Sequence, residues 1–199
     1  MASPDIIFVN GSSSAGKSTL CRHLRDALEH PYLVVGFDDF IFMAPPRYYR
    51  GADTARQESL DRFTREGVEM MVTSGPGEPI KIVAKFGPVF RTLIDSMAPA
   101  VRALVDAGNS VIFDQALHDE RMAESCRKSF AGLDVFSVGV TCPLPILEAR
   151  ERERGDRVLG RSRGLVDVVH KFWTYDVEVD TGSTSPQQCA EAVIAALAR

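Results

Sequence analysis

The chain has no C-x-x-C pair: its four cysteines, Cys21, Cys126, Cys142 and Cys189, are widely scattered. Zinc or dithiol redox chemistry therefore has no support, and buried reduced thiols without a chemical role are expected. An excess of positive charge is also missing, with 23 Lys and Arg against 27 Asp and Glu, a formal net charge of −4. No basic stripe with interleaved aromatics lies outside one arginine-rich stretch, which argues against a nucleic-acid partner. Apolar runs fall far short of a membrane span. The opening "MASPDIIFVN" lacks a basic segment followed by a secretory hydrophobic core. The expectation is a soluble cytoplasmic protein without membrane or nucleic-acid partners; the sequence leaves oligomeric state open, homo-oligomers included.

What is present is the composition of a globular domain: 199 residues, 45% hydrophobic and 25% charged. Short runs rich in Val, Ile and Phe recur at 5–10, 32–37, 110–115, 135–142 and 175–179. Such nearly continuous apolar runs read as strands covered on both faces. Between them, Phe90, Leu93, Met97, Val101 and Leu104 share one face of a helix, which Pro99 is positioned to kink or divide. Helices are also predicted over 59–72 and 187–198. Alternating strands and helices predict a single α/β domain over 1–199, a three-layer fold with a central parallel sheet and helices on both faces. Residues 44–88, rich in Pro and Gly, read as an excursion from that alternation with a short β-prone run at Ile80 to Val83.

Gly11-Ser12-Ser13-Ser14-Ala15-Gly16-Lys17-Ser18 satisfies G-x-x-x-x-G-K-[ST], placed after an apolar strand and before a helix, with Thr19 next in line. Glycines let successive amides turn toward an anion, and the following helix adds its unpaired N-terminal NH groups. Lys17 is suited to the β- and γ-phosphates of ATP and the Ser18 hydroxyl to Mg²⁺. A second strand ends in Asp114, a candidate to hold the Mg²⁺ hydration shell opposite Ser18, with helix capping as the alternative.

After the second strand stand Asp38 and Asp39. One is a candidate to take a proton from an attacking substrate hydroxyl, the other to cap a helix; spacing alone does not choose. Residues 148–164 gather Arg150, Arg152, Arg154, Arg157, Arg161 and Arg163 with interspersed glutamates. Exposed ion pairs on a helix are one reading of that cluster. The other is a mobile lid whose Arg154 and Arg157, beside Gly155, come onto the phosphates.

These pieces resemble the chloramphenicol phosphotransferase family of P-loop kinases, on "NGSSSAGKS", "VGFDDFI", "FGPVFRTL", "VIFDQ", "VGVTC", "RERGDRVLG", "VVH" and "YDVEVDT" in that order. The resemblance implies transfer of the γ-phosphoryl of ATP to a hydroxyl of a small molecule, an antibiotic such as chloramphenicol in the founding case. It implies Asp38 as general base, Lys17 and Ser18 on phosphate and magnesium, and Arg154 and Arg157 in a closing lid. Phe86, Phe90 and Arg91, with Asp38 and Asp39, would then border the acceptor, although core packing is an equal reading of Phe90. Gln115 stands where the family pattern has a second acid. Two alternatives remain open here: a kinase for a nucleoside, sugar or other metabolite, and a nucleotide-dependent binding or regulatory protein. His170 reads as structural, and Trp173 and Tyr175 as either core or nucleotide contacts.

Overall fold

The computed structural model describes residues 3–49, 63, 65–154 and 159–199. Parts of the predicted excursion (50–62 and 64) and of the predicted lid (155–158, with Arg157) lie outside the described residues.

Strand β1 (Ile6–Gly11) is buried along its whole length. Its side chains alternate between two faces, as the period of an extended chain requires. Ile6 and Phe8 enter one core with Phe90, Met97, Phe113 and Leu117, whereas Ile7 and Val9 enter the other with Leu20, Leu24, Ile112 and Val193. A strand apolar at every position therefore serves two helical layers at once. Strands β2 (Tyr32–Gly36), β5 (Ser110–Gln115), β6 (Val135–Thr141) and β7 (Val177–Asp180) complete a parallel sheet ordered β2-β5-β1-β6-β7. Helices α1 (Lys17–Ala27), α3 (Pro88–Asp106), α4 (Glu120–Ser129), α5 (Leu144–Arg154) and α7 (Pro186–Leu197) surround it. The short α2 (Phe37–Met43) follows β2, and the short α6 (Arg161–Leu165) follows the arginine-rich stretch.

Pro99 does not divide α3, which runs unbroken across it. The proline is exposed, so it stands on the solvent side of the helix, where a missing hydrogen bond is best tolerated. A larger departure concerns 59–72. Among its described residues, 63, 65 and 66 are helical as expected, whereas 68–72 form strand β3 (Val68–Val72), paired antiparallel with β4 (Ile82–Phe86) in a separate two-stranded sheet. The run "VEMMV" carries helix-forming residues, but pairing with the β-branched stretch of β4 supplies what local propensity does not. This hairpin docks on α6, where the Ile82 amide donates to the Gly160 carbonyl at 3.0 Å.

All four cysteines are buried and unpaired by disulfides. Trp173 stacks on Phe8 with ring centroids 4.5 Å apart, which makes it a core residue. His170 Nδ1 and the Tyr175 hydroxyl lie 2.8 Å apart, and Asn10 Nδ2 donates to the same hydroxyl at 2.7 Å. These three tie β1 to the segment before β7. No described helix is long and apolar enough to cross a membrane.

Candidate active site

Strands β1 and β5 are neighbours in the sheet, with Val9 opposite Asp114, so their carboxyl ends open together. In an open parallel sheet that edge forms the ligand crevice. Here it holds a cleft of about 590 Å³ lined by Lys17, Ser18, Asp38, Asp39, Asp114 and Arg154, among others.

The loop from Gly11 to Gly16 is shaped by two different demands. Gly16 has φ +86°, a left-handed conformation that opens the first turn of α1, and no side chain caps that helix. Its first amides are therefore available to an anion. Gly11 is required for space instead: a Cβ there would lie 2.5 Å from the Val140 carbonyl oxygen of β6. Ser14 also takes positive φ, 61°, and its buried hydroxyl is among the described side-chain atoms that lack a hydrogen-bond partner. An orphaned donor in a turn of outward-facing amides fits a phosphate group.

Lys17 Nζ donates to the Ser12 carbonyl at 2.9 Å and lies 3.9 Å from Asp114 Oδ1. Ser18 Oγ donates to Asp114 Oδ2 at 2.7 Å. Two hard oxygen donors in contact suit Mg²⁺, which takes one or two protein oxygens and completes its shell with phosphate and water. The described residues contain no cluster of three or more His, Cys, Asp or Glu able to hold a metal. Burial pushes the Asp114 carboxyl up from its ordinary value. Lys17 and the Ser18 hydroxyl pull it down, and the charges of Asp38 and Asp39 add to the rise.

Of the two adjacent aspartates, Asp39 accepts the Gly36 amide at 2.7 Å and so caps α2. Both line the cleft. The residues expected on the acceptor side divide more sharply. Phe90 is fully buried in the core with Phe8 and Phe113 and does not line the cleft, which corrects its assignment to the substrate pocket. Its place on the inner face of α3 is the reason. Arg91 and Phe86 stand one layer back: Arg91 pairs with Asp119 at 2.8 Å and lies over the Phe86 ring. The rings that reach the cleft are Phe37 and His118, whose centroids are 5.5 Å apart, with Phe86 edge-on behind His118 at 5.1 Å.

Arg154 lines the cleft and also an adjoining one of about 440 Å³ bounded by Arg150, Thr181 and Pro186. The described arginines of the cluster take different positions. Arg150 turns inward onto Thr181, Arg163 pairs with Glu148 at 2.5 Å, and Arg161 lines the main cleft. Glu151, 1% exposed, accepts the amides of Gly160 at 2.7 Å and Ser162 at 3.0 Å and ties the two stems of this segment together. Residue patterns singled out neither His118, Ser162 nor Thr181, and named Arg161 only as a member of the arginine cluster. His118 lies just beyond the end of β5, and strand-end position was the one available signal. Gln115 is occupied locally, its Oε1 accepting the Ala116 amide at 3.2 Å.

A parallel sheet of this order, with a glycine-rich phosphate turn after β1 and an acid at the end of β5, defines a P-loop kinase. Solved structures agree on the fold. A sugar kinase from Janibacter sp. HTCC2649 superposes with TM-score 0.63 at 16% identity, covering 97% of this chain and 94% of its own. The Mycobacterium tuberculosis APS kinase CysC, in complex with AMPPNP and APS, gives 0.61 at 16% identity with both chains fully covered. Residues 4–198 match the chloramphenicol phosphotransferase-like protein family, and the chain belongs to it. A Mycobacterium tuberculosis protein provisionally named O-phosphotransferase Rv2636 is 29% identical over 195 residues, spanning 93% of this chain and 78% of that protein. The protein is thus a phosphotransferase of the P-loop type.

Proposed function

We propose that the protein transfers the γ-phosphoryl group of ATP to a hydroxyl of a small, partly apolar molecule, with chloramphenicol and other hydroxyl-bearing antibiotics among the candidate acceptors. The observation that carries this reading is the convergence of Asp38, Lys17, Ser18, Asp114 and Arg154 on one cleft. Asp38 accepts the acceptor's hydroxyl proton as its oxygen attacks phosphorus. The amides of the Gly11–Ser18 loop that no carbonyl engages, with the Lys17 ammonium, hold the phosphates, and Arg154, together with Arg157 as the family resemblance implies, offsets charge spread over the transferring group. Ser18 and Asp114 would hold Mg²⁺, whose charge would offset that of the donor's phosphates. Phe37 and His118 give the acceptor side an apolar wall, consistent with a substrate that has an apolar body. The adjoining cleft beside Thr181 and Pro186 suits the nucleoside end of the donor.

The test is acceptor-dependent ADP release across chloramphenicol, aryl alcohols, sugars and nucleosides, with the phosphate monoester identified by ³¹P NMR. Asp38→Asn is expected to lower turnover by about 10²–10⁴-fold while ATP still binds. Undiminished turnover in that variant removes Asp38 as base. Tight ATP binding with no transfer to any hydroxyl compound favours a nucleotide-dependent binding protein instead.

A further inference from the structure

Two hydroxyls outside the phosphate-loop sequence hold that loop from behind. Thr181, at the end of β7, lies 166 residues beyond Ala15, and its Oγ1 donates to the Ala15 carbonyl at 2.7 Å. Ser162, in α6, lies 149 residues beyond Ser13, and its Oγ is 3.2 Å from the Ser13 carbonyl. Both are buried, Thr181 at 8% exposed and Ser162 at 0%.

The direction of the Thr181 bond is set by its neighbour. Arg150 Nη1 is 3.2 Å from Thr181 Oγ1 and Nη2 donates to the Thr181 carbonyl at 2.7 Å. A guanidinium only donates, so Oγ1 must accept from it and send its own hydrogen to a carbonyl. Ala15 at 2.7 Å is closer than Thr141 at 3.3 Å. Ser162 is held in turn by Glu151, which accepts its amide at 3.0 Å; the single Ser162 hydroxyl hydrogen is shared between two acceptors at 3.2 Å, the Ser13 carbonyl and Glu151 Oε1, so its hold on Ser13 is the weaker of the two.

In a planar trans peptide the C=O of one residue and the N–H of the next point in opposite directions. A carbonyl pinned from behind therefore aims the next amide forward. Pinning Ala15 directs the Gly16 amide away from Thr181, and pinning Ser13 directs the Ser14 amide away from Ser162. Both Gly16 and Ser14 line the main cleft. We infer that Thr181 and Ser162 are positioning residues that preorganise the phosphate loop by fixing the carbonyls of Ala15 and Ser13, so that the Gly16 and Ser14 amides face the donor's phosphates before it binds. Preorganised donors need no reorientation when the anion arrives, which is where their contribution to affinity arises.

The inference rests on the phosphate-binding reading of the loop, and the experiment separates the two. ATP and AMP affinities are measured by calorimetry, with Mg²⁺, for the unmodified protein, Thr181→Val, Thr181→Ser and Ser162→Ala, alongside melting curves. AMP lacks the β- and γ-phosphates and reports any general loss at the nucleoside end, where Thr181 also lines the adjoining cleft. Thr181→Val and Ser162→Ala are expected to weaken ATP by about five- to tenfold with AMP changed by less than about twofold. Thr181→Ser, which keeps the hydroxyl, is expected to retain the ATP preference. If either variant fails to fold, the other carries the measurement. An unchanged ratio of ATP to AMP affinity in the folded variants overturns the inference. No preference for ATP in the unmodified protein overturns the phosphate reading itself, and this inference with it.

Discussion

His118 takes its character from its neighbours more than from its own chemistry. It is half-buried between Phe37 and Phe86, and burial, with Arg161 adding to it, depresses its pKa from 6.5 to about 3 despite the opposing charge of Asp119. The imidazole is therefore neutral near pH 7 and presents a flat, weakly polar face to the cleft. The linkage has a definite sign. Below about pH 6.5 the unfolded chain binds a proton at this position that the folded chain refuses until near 3, so stability falls as pH drops through that window. His118→Gln is expected to flatten this fall by up to about 1 kcal/mol per pH unit, the cleft-facing exposure of the ring holding it below the full single-proton slope. Urea denaturation of both proteins between pH 5 and 7 checks it, and equal slopes refute it. At the same scale, the adjacency of Asp38 and Asp39 was legible in the sequence, but their division of labour was not. Only the fold shows the Asp39 carboxylate turned back onto the Gly36 amide.

Among the elements, α6 is short yet holds several contacts in register. Its Gly160 N-cap sits at φ +98°, its Ser162 reaches the phosphate loop, and its Arg161 lines the cleft. A Cβ on Gly164 would collide with the Ile82 carbonyl of β4, a backbone atom that cannot swing away. Gly164→Ala therefore forces α6 off the hairpin. The expected loss is more than about 2 kcal/mol of stability, the range of core overpacking, with turnover falling further as Arg161 is displaced. Equilibrium denaturation together with the ADP-release assay measures both, and a variant as stable and active as the parent refutes the argument. The hairpin is also where the sequence misled. Local propensity in "VEMMV" spoke for helix, and the partner that made it a strand lies ten or more residues away.

For the whole molecule, the sheet stands between two separate cores, and the cleft opens at its edge. A donor that binds only the folded chain stabilises it by mass action. At a hundredfold excess over Kd, Mg²⁺ and ATP are expected to add about 2.7 kcal/mol, or roughly 5–10 °C in a domain of this size. Lys17→Ala is expected to lose more than half of that shift at the same concentration while its own unliganded melting point stays close to the parent. Differential scanning fluorimetry reads both, and an equal shift in the two proteins would remove Lys17 from phosphate binding.

The sequence by itself determined what is local or periodic. The apolar strands fix a two-sided parallel sheet because each residue along them must be buried on one face or the other. The Gly11–Ser18 run fixes the glycine-rich turn before α1 because its pattern lies within eight consecutive residues. Tertiary structure alone decided what depends on distant segments meeting. It moved Phe90 into the core and set Phe37 and His118 at the cleft, turned 68–72 into a strand, and brought Thr181 and Ser162 behind a loop some 150 residues earlier in the chain. Side-chain direction and long-range hydrogen bonds follow from how the layers pack, and no window along the chain contains both partners.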